Sequence, residues 1–96
     1  MNLLTNKLTL EFPPLYSNVN KKDNEVKIIA KFFHPYSSWT WYATEFDGED
    51  TFYGMVDGDY KEMGYFSLKE LKSINLWGLG IERDLYYNNH TLNEVK

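Results

Sequence analysis

The 96 residues contain no cysteine, which excludes disulfides, thiolate metal sites and cysteine nucleophiles and gives no sign of an oxidising compartment. Histidine is scarce. His34 stands beside Pro35, His90 lies near the end, and neither belongs to a Ser-His-Asp or metal-ligand spacing. The first residues lack a basic stretch leading into an apolar one, and no apolar run approaches the roughly 20 residues that cross a bilayer, so a soluble cytoplasmic protein without a membrane partner is expected. Positive charge is also short: 10 Lys and Arg face 14 Asp and Glu, a net charge of −4. That argues against direct nucleic-acid binding, because phosphate contacts need clustered Lys and Arg.

Aromatic residues are plentiful, at 18% of the chain. They concentrate at residues 39–65, WTWYATEFDGEDTFYGMVDGDYKEMGY, where three alternating segments are separated by two Asp-Gly steps. Asp-Gly favours tight turns, while Trp, Tyr, Phe, Thr and Val fit a pleated surface, so the stretch predicts a three-stranded antiparallel meander. Two-residue turns would pair Phe46 with Glu49 and Val56 with Asp59. One face would then carry Trp39, Trp41, Ala43, Phe52, Val56, Met63 and Tyr65 as the core, with Gly54 opposite Trp41 to make room for its indole. The other face would carry Thr40, Tyr42, Thr44, Tyr53, Met55, Tyr60 and Glu62.

Residues 26–33, VKIIAKFF, alternate as a further strand that ends at Pro35, and an uncovered edge there would let two copies pair as a homodimer. Ser67-Leu-Lys-Glu70 reads as a capping box that opens a helix of about two turns carrying Leu68, Leu71 and Ile74. Gly78 and Gly80 stop it. Residues 81–87 read as a last extended segment in which Arg83, between Glu82 and Asp84, ties to a neighbouring strand. The fold class is therefore α+β, a small antiparallel meander of four to five strands with one short helix. Residues 1–96 form a single domain with an ordered core at about 12–87; 1–11 and 88–96 are expected to be flexible, and 1–25 to be a poorly structured lead-in.

Between 45 and 62, seven acids face Lys61 alone, a local balance of −6. Beside tyrosines this suggests a protein-binding surface formed by Tyr42, Tyr53, Tyr60, Glu49, Asp57, Asp59 and Glu62, with the rings as contact area and the acids meeting a basic partner. The alternative from another class is a small hydrolase, carboxylate-based or metal-dependent, using Glu45, Asp50, Tyr65 and Arg83, with Glu45 and Asp50 opposed across the first turn. The carboxylates at 45–50 match no calcium-loop spacing, so neither metal nor cofactor is expected. The balance leans to a non-enzyme.

Several segments together resemble the bacterial family of domain of unknown function 2958: Trp39-Thr-Trp-Tyr, Glu45-Phe-Asp-Gly-Glu-Asp-Thr-Phe, Gly64-Tyr-Phe-Ser-Leu-Lys-Glu-Leu71 and Ile81-Glu-Arg-Asp-Leu-Tyr86. Pro13-Pro14-Leu15-Tyr16-Ser17 and Lys31-Phe-Phe-His-Pro35 also look like its opening, and the likeness spans about residues 12–87. Trp77 departs from the proline or glycine expected before the Gly-Leu pair. The resemblance implies carriage on plasmids, phages and integrated elements with no established activity. It favours a mobile-element accessory role, and carboxylates that imitate a phosphate backbone would make the protein a binder or inhibitor of a host nucleic-acid-handling protein.

Overall fold

A computed structural model describes residues 2–96. Along the chain run α1 (Asn6–Glu11), β1 (Lys27–Ile28), β2 (Ala30–Phe33), β3 (Thr40–Phe46), β4 (Thr51–Asp57), β5 (Lys61–Ser67), α2 (Leu68–Ser73), β6 (Asn75–Leu76), β7 (Leu79–Gly80), β8 (Glu82–Arg83) and β9 (His90–Thr91). Five strands form one antiparallel sheet in the order β5-β4-β3-β2-β8, and the pairs β1-β9 and β6-β7 form two small ladders. The α+β meander is the architecture expected from the alternating aromatic runs.

Both Asp-Gly steps are turns, but neither is a two-residue one. In the first, the Asp47 carboxylate accepts from the backbone N–H groups of Glu49, Asp50 and Thr51 at 2.8, 2.8 and 3.0 Å, and Gly48 supplies φ +88°. This side-chain ring stretches the turn to residues 47–50, so Phe46 pairs with Phe52 and not with Glu49. These bonds favour the charged form and hold the Asp47 pKa below the usual carboxylate value. The register then shifts between Ala43 and Glu45, a bulge at which the Thr44 hydroxyl donates to the Tyr53 carbonyl at 3.0 Å. Trp41 consequently faces Val56, and Gly54 faces Ala43. The room that glycine makes for an indole lies elsewhere: a Cβ on Gly58 would come within 2.4 Å of the Trp39 ring.

The second turn spans residues 58–60, and Val56 pairs with Glu62 while Asp57 pairs with Lys61. This odd change of register flips β5 relative to the expectation, because side chains alternate with period two. Phe66 joins the face of Phe52, whereas Met63 and Tyr65 point to the opposite face, across from Met55 and Tyr53.

On the first face, Phe52 sits fully buried among Phe12, Phe32, Phe46 and Phe66, with ring centroids 4.4 to 5.5 Å away. Ala30, Trp41, Ala43, Leu71, Ile81 and Leu3 complete this core. The lead-in segment is thus part of the core and not an unstructured leader. Thr5 caps α1 by accepting from the Leu8 N–H at 3.1 Å, and Leu4, Leu8 and Phe12 pack on the sheet. Six residues are too few for a helical period to show in the sequence. Met1, in the stretch read as flexible, lies outside the described residues.

The other sheet face is covered in part by a smaller cluster of Val26, Met55 and Leu92, with Tyr42, Met63 and Val95 packed on it. Residues 88–96 belong to it and are not a frayed tail: β9 pairs with β1, and Leu92 is buried. The expected open edge at 26–33 is likewise occupied, since β2 lies between β3 and β8 and β1 pairs with β9. Among the described residues, the long strand with no partner on its outer side is β5. Trp77 turns the β6–β7 hairpin at φ +56°, a conformation uncommon for so bulky a residue. Buried His34 anchors that hairpin, its Nδ1 accepting from the Tyr36 N–H and its Nε2 facing the Leu79 carbonyl at 3.1 Å.

Glu94 closes the C-terminal segment, accepting from the Thr91 N–H at 2.7 Å and meeting His90 Nδ1 at 3.0 Å. The His90 bond first, then those from Thr91, lower its pKa from 4.5 to about 2. A depressed carboxylate contributes stability that is present above its unfolded value and lost as pH falls through the folded one. The β1–β9 pairing is therefore expected to loosen between about pH 4.5 and pH 2. Hydrogen exchange at the Leu92 amide, which donates to the Val26 carbonyl, should accelerate over that window beyond the intrinsic pH effect. In Glu94→Gln this pH-dependent component should vanish; if wild type lacks it too, Glu94 does not hold the clasp.

Candidate binding groove

The β3 bulge delivers an acid into the interior. Glu45 is only 3% exposed, and its two carboxylate oxygens accept from the backbone N–H groups of Tyr16 and Asn18, each at 2.9 Å. Tyr16 has φ +72°, a strain on the order of 1–3 kcal/mol. Each hydrogen bond to a charged acceptor contributes about 1.5–3 kcal/mol, so the pair outweighs the strain. Glu45 thus staples the lead-in turn across the sheet.

Above this carboxylate lies a groove of about 330 Å³. Its walls include Tyr16 from the lead-in, Tyr53 from β4, and Met63 and Tyr65 from the edge strand β5. The Tyr53 and Tyr65 rings are 4.9 Å apart at 58°, while Tyr16 and Tyr65 remain 68% and 54% exposed. A side-chain hydrogen bond with Tyr16, and then partial burial, raise the Tyr65 pKa above the ordinary phenol value. Its hydroxyl therefore stays protonated at neutral pH and offers no phenolate base.

The residues expected to form a binding surface are dispersed. Tyr60 is 78% exposed at the tip between β4 and β5, close in sequence to exposed Asp59 and Glu62 and half-buried Asp57. Glu49 lies in the loop at the other end of β4, a seven-residue strand, so about 20 Å separates it from that tip. Tyr53 lies between them in the groove. Tyr42 is half-buried against Tyr87, with ring centroids 6.0 Å apart, and Lys31 approaches its ring at 5.9 Å. Burial, followed by the charge of Asp57, raises its pKa.

Of the residues weighed for hydrolysis, only Glu45 and Tyr65 meet. Asp50 accepts from the Ser67 hydroxyl at 2.6 Å and from the Lys69 N–H at 2.8 Å, bonds that lower its pKa. It thereby supports the start of α2, where Ser67 accepts from the Glu70 N–H as the capping pattern predicts. Across the turn, Glu45 faces Tyr53 and not Asp50. Arg83 lies on β8 at the opposite edge of the sheet from Tyr65, four strand spacings or about 19 Å away, and donates to the Leu3 carbonyl at 2.8 Å. Among the described residues no group of three or more His, Cys, Asp or Glu is placed to hold a metal ion, and no helix is long and apolar enough to cross a membrane. Sequence reasoning missed Tyr16 as a groove residue, because only the Glu45 staple brings it there.

No curated protein and no solved structure matches the chain. A family match extends beyond the span legible in the motifs and takes in both α1 and the β9 segment. Residues 3–94 match the family described as protein of unknown function (DUF2958), and the chain belongs to that family.

Proposed function

We propose that the protein is a non-enzymatic binding protein whose contact centre is the Tyr16, Tyr53 and Tyr65 groove. The observation that carries this reading is the division of labour among its polar residues. Asp47, Asp50 and Arg83 hydrogen-bond to backbone within the fold, whereas two neighbouring tyrosines stay largely exposed beside the uncovered β5 edge. Tyrosine offers large contact area with a polar tip at low entropic cost. Asp57, Asp59 and Glu62 lie at the adjoining hairpin, about 13 Å along β4 from Tyr53. That distance is within the footprint of a standard interface, so these acids would steer a basic partner.

In the mobile-element setting that the family resemblance implies, such a partner would be a host or element-encoded protein that handles nucleic acid, bound on its basic surface. The test compares affinity capture by wild type, Tyr65→Ser and Tyr60→Ser, followed by association kinetics with the captured protein at two salt concentrations. Tyr65→Ser should speed dissociation and cost about 1 kcal/mol or more, as truncation at a contact centre does. Asp59→Asn with Glu62→Gln should slow association and flatten its salt dependence. A partner that dissociates from Tyr65→Ser as slowly as from wild type would remove the groove from the interface.

A further inference from the structure

We infer that the groove is a receptor for an organic cation, an ammonium or guanidinium head carried on an apolar stem. The inference rests on the binding reading above and names the chemistry of what binds. Its starting point is the charge balance around Glu45. The side chain is buried and receives two backbone N–H groups, but among the described residues no Lys, Arg or His lies within ion-pair distance of it. A carboxylate has about four acceptor positions, so two remain. Buried charge is screened little by solvent, and an acid without a counter-ion projects a negative potential into the space it lines.

The walls match the same ligand. Tyr16, Tyr53 and Tyr65 line the same groove as that carboxylate, and a cation within about 6 Å of such a ring is attracted to its face. Met63 and Val19, which also line the groove, suit an alkyl stem. The volume of about 330 Å³ is at the small end of ligand sites, which favours a single side chain or a small amine over a larger molecule. The two cations on the lining are exposed. Lys96 is paired with Asp23 at 3.1 Å, and Lys21 is exposed on the rim, where water screens its repulsion far more than it screens the attraction of buried Glu45.

The test is a proton–nitrogen NMR titration of the full chain with butylammonium and butylguanidinium, with butanol and butyrate as neutral and anionic counterparts of similar shape. The cations should shift the amide resonances of Tyr16 and Asn18 with dissociation constants of about millimolar, and butanol and butyrate should bind at least about ten-fold more weakly. Glu45→Gln should weaken the cations about ten-fold. Because Glu45 also staples the lead-in, Tyr65→Leu provides a second reading: Tyr65 is half-exposed, so the variant should keep a native spectrum and bind about five-fold more weakly. Equal binding of butanol and butylammonium, no cation-induced shift, or a folded Tyr65→Leu with unchanged affinity would each overturn the inference. A pentapeptide with a central lysine or arginine separates the sources. Tighter binding than the free amine assigns the groove to a protein side chain, and equal binding to a small amine. If Tyr65→Ser releases the captured partner while no cation binds, the groove is a contact surface of other chemistry; the inference then fails and the binding reading stands.

Discussion

Phe52→Ala should destabilise the protein by about 3–5 kcal/mol, the largest loss expected from any single truncation here. Phe52 is fully buried and touches four other rings contributed by α1's C-terminal flank, β2, β3 and β5. Its removal would strip packing from the sheet and from the lead-in segment together. For a domain of this size the loss amounts to a fall in Tm on the order of 20 °C, and it takes up much of a total stability of about 5–15 kcal/mol. Thermal and urea unfolding measure it, with Phe52→Leu as the companion that keeps most of the volume and should cost less than about 2 kcal/mol. A Phe52→Ala melt within a few degrees of wild type would show that the aromatic cluster is not the centre of the core.

Gly54→Ala should be nearly as damaging, although it adds only one methyl group. A Cβ at this position would lie 1.9 Å from the carbonyl oxygen of Tyr42 and 2.9 Å from its carbonyl carbon. The obstacle is backbone in the paired strand β3, so no rotamer change relieves it; β3 and β4 must separate where the bulge draws them together. A cost of about 3 kcal/mol or more is expected, toward the upper end for overpacking. The control is its cross-strand partner Gly64, where an added Cβ meets nothing within 4 Å. Gly64→Ala should be neutral or stabilising by a few tenths of a kcal/mol, because it restricts the unfolded chain. Equal urea midpoints for the two variants would refute the close approach at Gly54.

Much of the fold is legible in local chemistry. The alternation of Trp, Tyr, Phe and Thr marks three strands, each Asp-Gly marks a turn, and Ser67 marks the start of α2. These signals depend on residues within a few positions of one another. The exact register is not legible, because it depends on how many residues each turn takes up. Asp47 forms three backbone bonds that lengthen the first turn, and nothing in the letters Asp-Gly separates that ring from a two-residue turn. The bulge at Thr44 adds another unsignalled residue. Both terminal segments look loose in the sequence for a similar reason: the apolar residues around Leu3 and Leu92 follow no strand or long helical period, and only the completed sheet provides the apolar faces that bury them.

The candidate site divides along the same line. Glu45 and Tyr65 stand out in the sequence as an acid and a ring near strand ends, and both line the groove. Their meaning there came from the tertiary structure, because the N–H groups that hold Glu45 lie 29 and 27 residues away and the tyrosine that completes the groove arrives with them. By itself the sequence determined the three strands of the meander, that the chain turns at both Asp-Gly steps, and that it is acidic and rich in tyrosine, since local conformational preference and charge are properties of the residues themselves. Only the tertiary structure decided that Met63 and Tyr65 face away from Phe52, that Asp50 supports the start of α2, and that buried Glu45 shares a groove with three tyrosines. Side chains alternate between faces at every residue, so a change of one residue in a turn reverses a whole strand, and the number of residues in a turn depends on bonds such as those Asp47 makes and on the faces the strands must bury.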